Sequence, residues 1–485
     1  MTANTLHAAL LHAQPDTAPF LSVPDAPPMT YGALRASVAR TAGALAARGV
    51  GPGDRVLCQI AKSLDGLILY LSVVAAGGVF VPLNTGYTAA ELDYFMADAE
   101  PALMIVDATT EAARPVAAAR GIPVATPADL VGTGAAMAPV ARGAGDLAAI
   151  LYTSGTTGRS KGAMLTHDNL VSNARALAKI WRFTADDCLL HALPIFHTHG
   201  LFVATNVILV AGARMLFLPA FDLDALARHL PSCTTLMGVP TFYTRMLADP
   251  RFDRAALAHM RLIVSGSAPL LAETHDAFRA RTGHAILERY GMTETNMIAS
   301  NPYDGDRRAG TVGFALPGVS VRIARPDDAG IGAIEVRGPN VTPGYWRNPE
   351  KTAESFSADG WFVTGDLGRI DAQGYLHIVG REKDLVISGG FNIYPKEIEE
   401  RIDALPGVLE SAVYGVPDPD MGEAVAAAVV LRAPGATDAA AILAALRDTL
   451  ARFKIPRHIR IVPELPRNAM GKVQKTTLRA ETAET

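Results

Sequence analysis

The stretch YTSGTTGRSKG, Tyr152 to Gly162, follows directly on the apolar run LAAILY at Leu147 to Tyr152. A short apolar run of this kind reads as a buried strand, so the polar stretch must be a loop at that strand's end. Gly155, Gly158 and Gly162 let its backbone adopt conformations closed to other residues, so its N–H groups can converge on an anion. Thr153, Ser154, Thr156, Thr157 and Ser160 add hydroxyl donors, and Lys161 adds a positive charge. Polyphosphate is the natural guest. The kinase-type phosphate loop is excluded, because it needs Gly-Lys-Ser/Thr, whereas Ser160 precedes Lys161 and Gly162 follows it. A flexible surface linker is the alternative, but hydroxyls and a lysine crowded directly behind a buried strand argue against it.

Around this loop the chain alternates between short strands and amphipathic helices. A helix capped by Thr30 precedes the strand DRVLCQI; a helix after Ser63 precedes VFVPLN; AAELDYFMADA precedes ALMIVD. Beyond the loop, Thr166 opens a further helix, and LFLP, LMGVP and LIVSG continue the pattern. This is a layered α/β plan. Between Gly310 and Trp346 it changes to alternating strands broken by Pro and Gly, which predicts a β subdomain. From Gly380 a polar, glycine-punctuated crossing, GREKDLVISGG, leads to a helix beginning at Pro395 and a compact α+β unit. The expected fold is therefore α/β, with a large N-terminal domain over 1–380 and a small, mobile α+β domain over 381–485. A length of 485 residues agrees, at about 150 residues per domain.

A net charge of −4, without a cluster of Lys or Arg, makes nucleic acid an unlikely partner. Cys58, Cys188 and Cys233 lie far apart along the chain and form no ligand pattern, so neither a disulfide framework nor a zinc site is expected. The opening MTANTLHAALLHAQPD does not read as a secretion signal, and a cytosolic protein is expected. The run from Leu67 to Leu83 is broken by Gly77, Gly78 and Pro82, so it predicts a buried helix, a turn and a strand rather than a membrane span.

The phosphate loop is joined by YGMTE at Tyr290 to Glu294, TGDLG at Thr364 to Gly368, GREKDLVISGG at Gly380 to Gly390 and PRNAMGKVQK at Pro466 to Lys475. Together, in this order and over nearly the whole chain, they resemble the adenylate-forming acyl-CoA synthetases. Such enzymes activate a carboxylate with ATP, release pyrophosphate, and transfer the acyl group from AMP to coenzyme A. The resemblance gives the nucleotide to the loop, to Ser267 and Ala268 of SGSAPL, to Glu288, Tyr290, Gly291, Met292 and Thr293, and to Asp366 and Arg381 at the ribose. It makes Glu294 the Mg²⁺ ligand, a role that a hard carboxylate oxygen suits. Lys472 becomes the catalytic lysine, reaching between the attacking carboxylate and the α-phosphate, with Thr293 donating to that phosphate. Lys383 becomes the hinge about which the small domain turns between the half-reactions. Acylation of Lys472 would remove its charge and is a candidate regulatory modification.

Arg289, directly before Tyr290, bears on the acid. Many members of the family carry glycine there, leaving an uncharged pocket. A buried guanidinium calls for an anion, so a short dicarboxylate is expected: malonate, and methylmalonate if room allows, with one end facing ATP and the other on Arg289. An internal salt bridge with Glu288 or another acid is the rival. His197, the family's pocket histidine, and Ser267 should border the same acid; His199 is either a further contact or a satisfied wall residue.

Overall fold

The computed structural model describes residues 4–11, 14–24, 26–153, 160–388, 391–419, 421–447, 449–468 and 471–483. Ser154, Gly155, Thr156, Thr157 and Gly158 of the phosphate loop lie outside the described residues. Among the described residues, the large domain holds two mainly parallel sheets. A six-stranded sheet runs Val124–Ala125, Leu103–Val106, Arg55–Gln59, Val79–Pro82, Leu147–Thr153, Lys161–Thr166, with only the last strand antiparallel. A nine-stranded sheet has Leu287–Met292, Leu262–Ser265, Thr235–Gly238 and Cys188–His191 as neighbouring parallel strands at its centre.

The parallel strands are buried on both faces, as their unbroken apolar sequences require. Leu103–Val106 and Leu262–Ser265 are wholly buried. The helix Leu64–Ala75 is almost entirely buried too, capped by Ser63, whose hydroxyl accepts from Gly66 N at 3.2 Å. No helix among the described residues is long and apolar enough to cross a membrane.

Thr166 opens the helix His167–Ile180 as expected, but that helix does not directly follow the phosphate loop. The residues that follow it, Lys161–Thr166, form a strand that folds back on Leu147–Thr153, and only then does the helix His167–Ile180 begin. The two strands that flank the loop therefore form a hairpin. The β subdomain also extends further than expected. Its antiparallel strands Ser320–Ala324, Gly332–Arg337, Phe362–Ile370 and Leu376–Arg381 carry TGDLG in mid-strand and end at Arg381. Beyond it, Val386–Ser388, Val408–Asp418, Gly422–Leu431 and His458–Ile461 build a separate small sheet packed by the helix Pro395–Asp403.

The cysteines hold one surprise. Cys188 and Cys233 place their sulfurs 3.5 Å apart as buried free thiols, although 45 positions separate them in sequence.

The helix His167–Ile180 begins with a reciprocal cap. Thr166 Oγ1 accepts from Asn169 N at 3.1 Å, and Asn169 Oδ1 accepts from Thr166 N at 2.9 Å. Thr166→Ala should lower unfolding free energy by about 1 kcal/mol, read as an earlier urea midpoint at unchanged slope.

Candidate active site

The functional side chains gather where parallel strands of the nine-stranded sheet end, the usual place for ligands in open α/β sheets. His191 closes one strand and leads to His197 and His199; Ser265 closes another and leads to Gly266 and Ser267; the third carries Arg289 and runs into Thr293.

Arg289 is 5 % exposed. Its guanidinium lies across the backbone of Gly266: a Cβ added there would stand 2.2 Å from Cζ, so a larger residue would have to displace the guanidinium. Among the described residues it has neither a hydrogen bond nor an ion pair, and Nε and Nη2 are buried without partners. Burial lowers its pKa to about 9, with the Tyr243 phenol the modest opposing influence. The expected rival, a salt bridge with Glu288, is not formed. Consecutive strand residues face opposite sides, and Glu288 sits on the far side with Oε1 unpartnered, its pKa raised to about 8 by burial against the opposing field of Lys396.

His199 is 2 % exposed and places Nδ1 3.2 Å from Ser267 Oγ, while Nε2 has no partner. Ser267 holds the left-handed φ of 72°, a conformation rare for a residue with a side chain. His197 meets the His199 N–H through Nδ1 at 3.4 Å. Both rings are kept neutral. Burial first, then the charges of Lys472 and Arg289, take His197 to about 3; burial and Arg289 hold His199 well below the ordinary range.

A second cluster faces these residues. Asp366 pairs across the sheet with Arg381, whose Nε lies 2.8 Å from Oδ1, while Tyr290 donates its hydroxyl to Oδ2 at 2.5 Å. Each carboxylate oxygen retains a lone pair for a further donor. Tyr345 donates to Glu294 Oε1 at 2.9 Å, and the Lys161 ammonium stands 5.8 Å from the centre of the Tyr345 ring. This brings the end of the phosphate loop to Glu294. Mg²⁺ bound through phosphates and water needs only one or two carboxylates, so Glu294 fits such an ion; among the described residues no three potential ligands gather to hold a metal by themselves. Gly291 is forced by close packing, since a Cβ there would meet the Asn296 carbonyl at 2.0 Å. Met292, Thr293 and Ala268 are half-buried.

Lys472 comes from the small domain, on a tight turn in which Gly471 takes φ 75° and Asn468 Oδ1 accepts the Lys472 N–H at 3.0 Å. Its ammonium lies within the fields of Arg381, Asp366, Glu294 and Arg289. Crowding by protein atoms, and then Arg381, lowers its pKa, although the residue remains open to the cleft. Lys383 occupies a single helical turn, Glu382–Asp384, between the domains. Sequence reasoning missed Tyr345 and Gly266, since a lone Tyr or Gly carries no local signal; the close approach of Gly266 to Arg289 exists only in the folded sheet.

Two family models match the chain: AMP-binding enzyme over residues 11–346, and AMP-binding enzyme C-terminal domain over 397–472. The chain belongs to the AMP-binding enzymes. It is similar to ATP-bound MatB from Rhodopseudomonas palustris, at 54 % identity and a TM-score of 0.96 over 99 % of each chain. It is 38 % identical to a sulfoacetate–CoA ligase from Cupriavidus necator over 97 % of this chain and 96 % of that one. To a malonate–CoA ligase from Arabidopsis thaliana it is also 38 % identical, over 83 % and 74 % respectively.

With both rings held neutral, neither His197 nor His199 should take up a proton between about pH 5 and 8, the range in which free histidine titrates. Ring resonances followed by NMR should stay flat across that interval.

Proposed function

We propose that this chain is an AMP-forming acid–thiol ligase for malonate. A malonate carboxylate oxygen attacks the α-phosphorus of ATP, the bond to the β-phosphate breaks, and pyrophosphate leaves. The CoA thiol, giving up its proton, then attacks the acyl carbon and expels AMP, leaving malonyl-CoA. The observation that carries this reading is the buried, unpartnered guanidinium of Arg289 beside His199 and within the electrostatic reach of Lys472. One end of the acid is to be activated. The other must be an anion, because a guanidinium buried without a partner is costly.

In this reading Asp366 and Arg381 hold the ribose, and Glu288, Tyr290, Gly291, Met292, Ser267 and Ala268 border adenine and acid. Thr293 and the loop from Thr153 to Lys161 hold phosphate. Mg²⁺, held by Glu294 with phosphate oxygens, would neutralise phosphate charge. His197, His199 and Ser267 shape the acid end. Lys472 donates to the transferring oxygens, where negative charge concentrates in the transition state. Residues 1–380 form the adenylating body and 381–485 the lid, hinged at Lys383, so that Lys472 withdraws before thioester formation. Acylation of Lys472 would silence the first step alone. A second reading follows from the same cation: a distal sulfonate would satisfy Arg289 as well as a carboxylate does, and a relative named for sulfoacetate lies at 38 % identity.

Pyrophosphate release and product analysis with malonate, methylmalonate, succinate, sulfoacetate and acetate test the assignment; acetate used as well as malonate would defeat it. Arg289→Gly should reduce malonate kcat/KM by about 10² to 10³, the kinetic equivalent of about 3 to 4 kcal/mol for a broken buried pair, while acetate gains relative to malonate. Lys472→Ala should lower adenylation by about 10² or more yet leave thioester formation from supplied malonyl-adenylate largely intact. Equal losses in both half-reactions would contradict the division of labour.

A further inference from the structure

Behind the acid pocket lies a polar pair that the reaction just described does not use. Lys62 stands on the loop between the strand Arg55–Gln59 and the helix Leu64–Ala75. It donates to the His191 carbonyl at 2.8 Å, meets His191 Nδ1 at 3.0 Å, and stands 4.2 Å from the centre of the Phe217 ring. His191 is 1 % exposed and places its other nitrogen, Nε2, 2.9 Å from the Gly200 carbonyl. The Gly200 carbonyl only accepts, so His191 carries its proton on Nε2, and Nδ1 of the neutral ring accepts from Lys62, whose pKa burial holds well below the ordinary lysine range. That proton then points at Gly200.

Gly200 is a structural pivot. It belongs to the wide helical turn His199–Thr205, in which carbonyls are displaced from ordinary helical bonding. Its carbonyl is satisfied by His191 Nε2 and by Thr205 Oγ1 at 2.9 Å. No side chain fits at Gly200, because a Cβ would stand 2.0 Å from the Pro194 carbonyl; Leu201, Phe202, Val203 and Ala204 pack into the core, and these polar contacts hold the backbone at the end of the turn that carries His199. The preceding residue is His199, whose ring meets Ser267 and whose Nε2 is unpartnered.

We infer that Lys62 is a positioning residue for the acid pocket: by occupying His191 Nδ1 it fixes the Nε2–H tautomer, whose bond to the Gly200 carbonyl seats the turn that presents His199. The tautomer is the working element. With the proton on Nδ1 instead, two lone pairs, on Nε2 and on the Gly200 oxygen, would face each other at hydrogen-bond distance, and the turn would shift. The inference about tautomer and turn stands on these contacts; its expression in acid affinity rests on the proposed malonate reading.

The test has a substrate-free arm and a kinetic arm. Ring nitrogen-15 NMR of the wild-type protein should show His191 Nδ1 bare and Nε2 protonated, and Lys62→Met should populate both tautomers. A protonated Nδ1 in the wild type overturns the inference whatever the substrate proves to be. In steady-state assays Lys62→Met should raise the malonate KM about tenfold, the effect of one lost buried hydrogen bond, with the ATP KM and kcat changing far less. The Gln amide nitrogen stands near the place of His Nε2 and donates without any tautomer to set. In a His191→Gln background, adding Lys62→Met should therefore change the malonate KM little. An equal rise in both backgrounds would show that Lys62 acts by another route. Failure of the wild type to use malonate would overturn the substrate reading while leaving the NMR arm to decide the tautomer.

Discussion

A guanidinium held in the interior without a carboxylate beside it sets the terms for the rest of the acid pocket. Arg289 reaches that position because its strand is central, its register turns it toward Gly266, and Gly266 has no side chain to block it. Glu288, the nearest acid in sequence, is on the other face of the strand and cannot neutralise it. The same positive field, added to burial, keeps His197 and His199 uncharged, so they offer neutral polar edges and not competing cations. Ser267, held in a left-handed conformation, brings its hydroxyl to His199. Each of these features makes sense around an anionic visitor.

The nucleotide half is organised by pairs that span different parts of the chain. Asp366 and Arg381 are cross-strand neighbours joined by an ion pair. Tyr345 links Glu294 to the neighbourhood of Lys161, and the Trp346 N–H bonds to the Gly162 carbonyl at 2.8 Å, tying the β subdomain to the hairpin that carries the phosphate loop. Lys472 enters from the small domain on a turn stiffened by Asn468 and Gly471. A cation delivered from a separate domain can be withdrawn, whereas Arg289, built into the sheet, cannot. That contrast suits a reaction whose steps make opposite demands on charge at the α-phosphate.

Much of this was legible in the residues. Strand and helix positions followed from apolar periodicity and from caps such as Thr30, Ser63 and Thr166, because these signals are local and the structure uses them. The polar motifs stood out because glycines and hydroxyls placed beside buried strands have little structural reason to be there. What stayed hidden was pairing between distant segments. The strand Lys161–Thr166 after the phosphate loop owes its conformation to its partner Leu147–Thr153, and the β subdomain runs past Trp346 because later strands complete its sheet. Cys188 and Cys233 meet only because their segments lie side by side in the nine-stranded sheet.

By itself, then, the order of residues determined the groups available: a loop rich in glycine and hydroxyls, the carboxylates of Glu294 and Asp366, the lysine Lys472 and the arginine Arg289. Only the tertiary structure decided which of those charges would be answered from within the protein. Asp366 finds Arg381 and Asp187 finds Arg261, but among the described residues Arg289 finds no acid. The reason is geometric. Residue type fixes what a side chain can bond, while strand register and close backbone approach fix which groups arrive within about 3 Å of it, the distance at which a hydrogen bond exists.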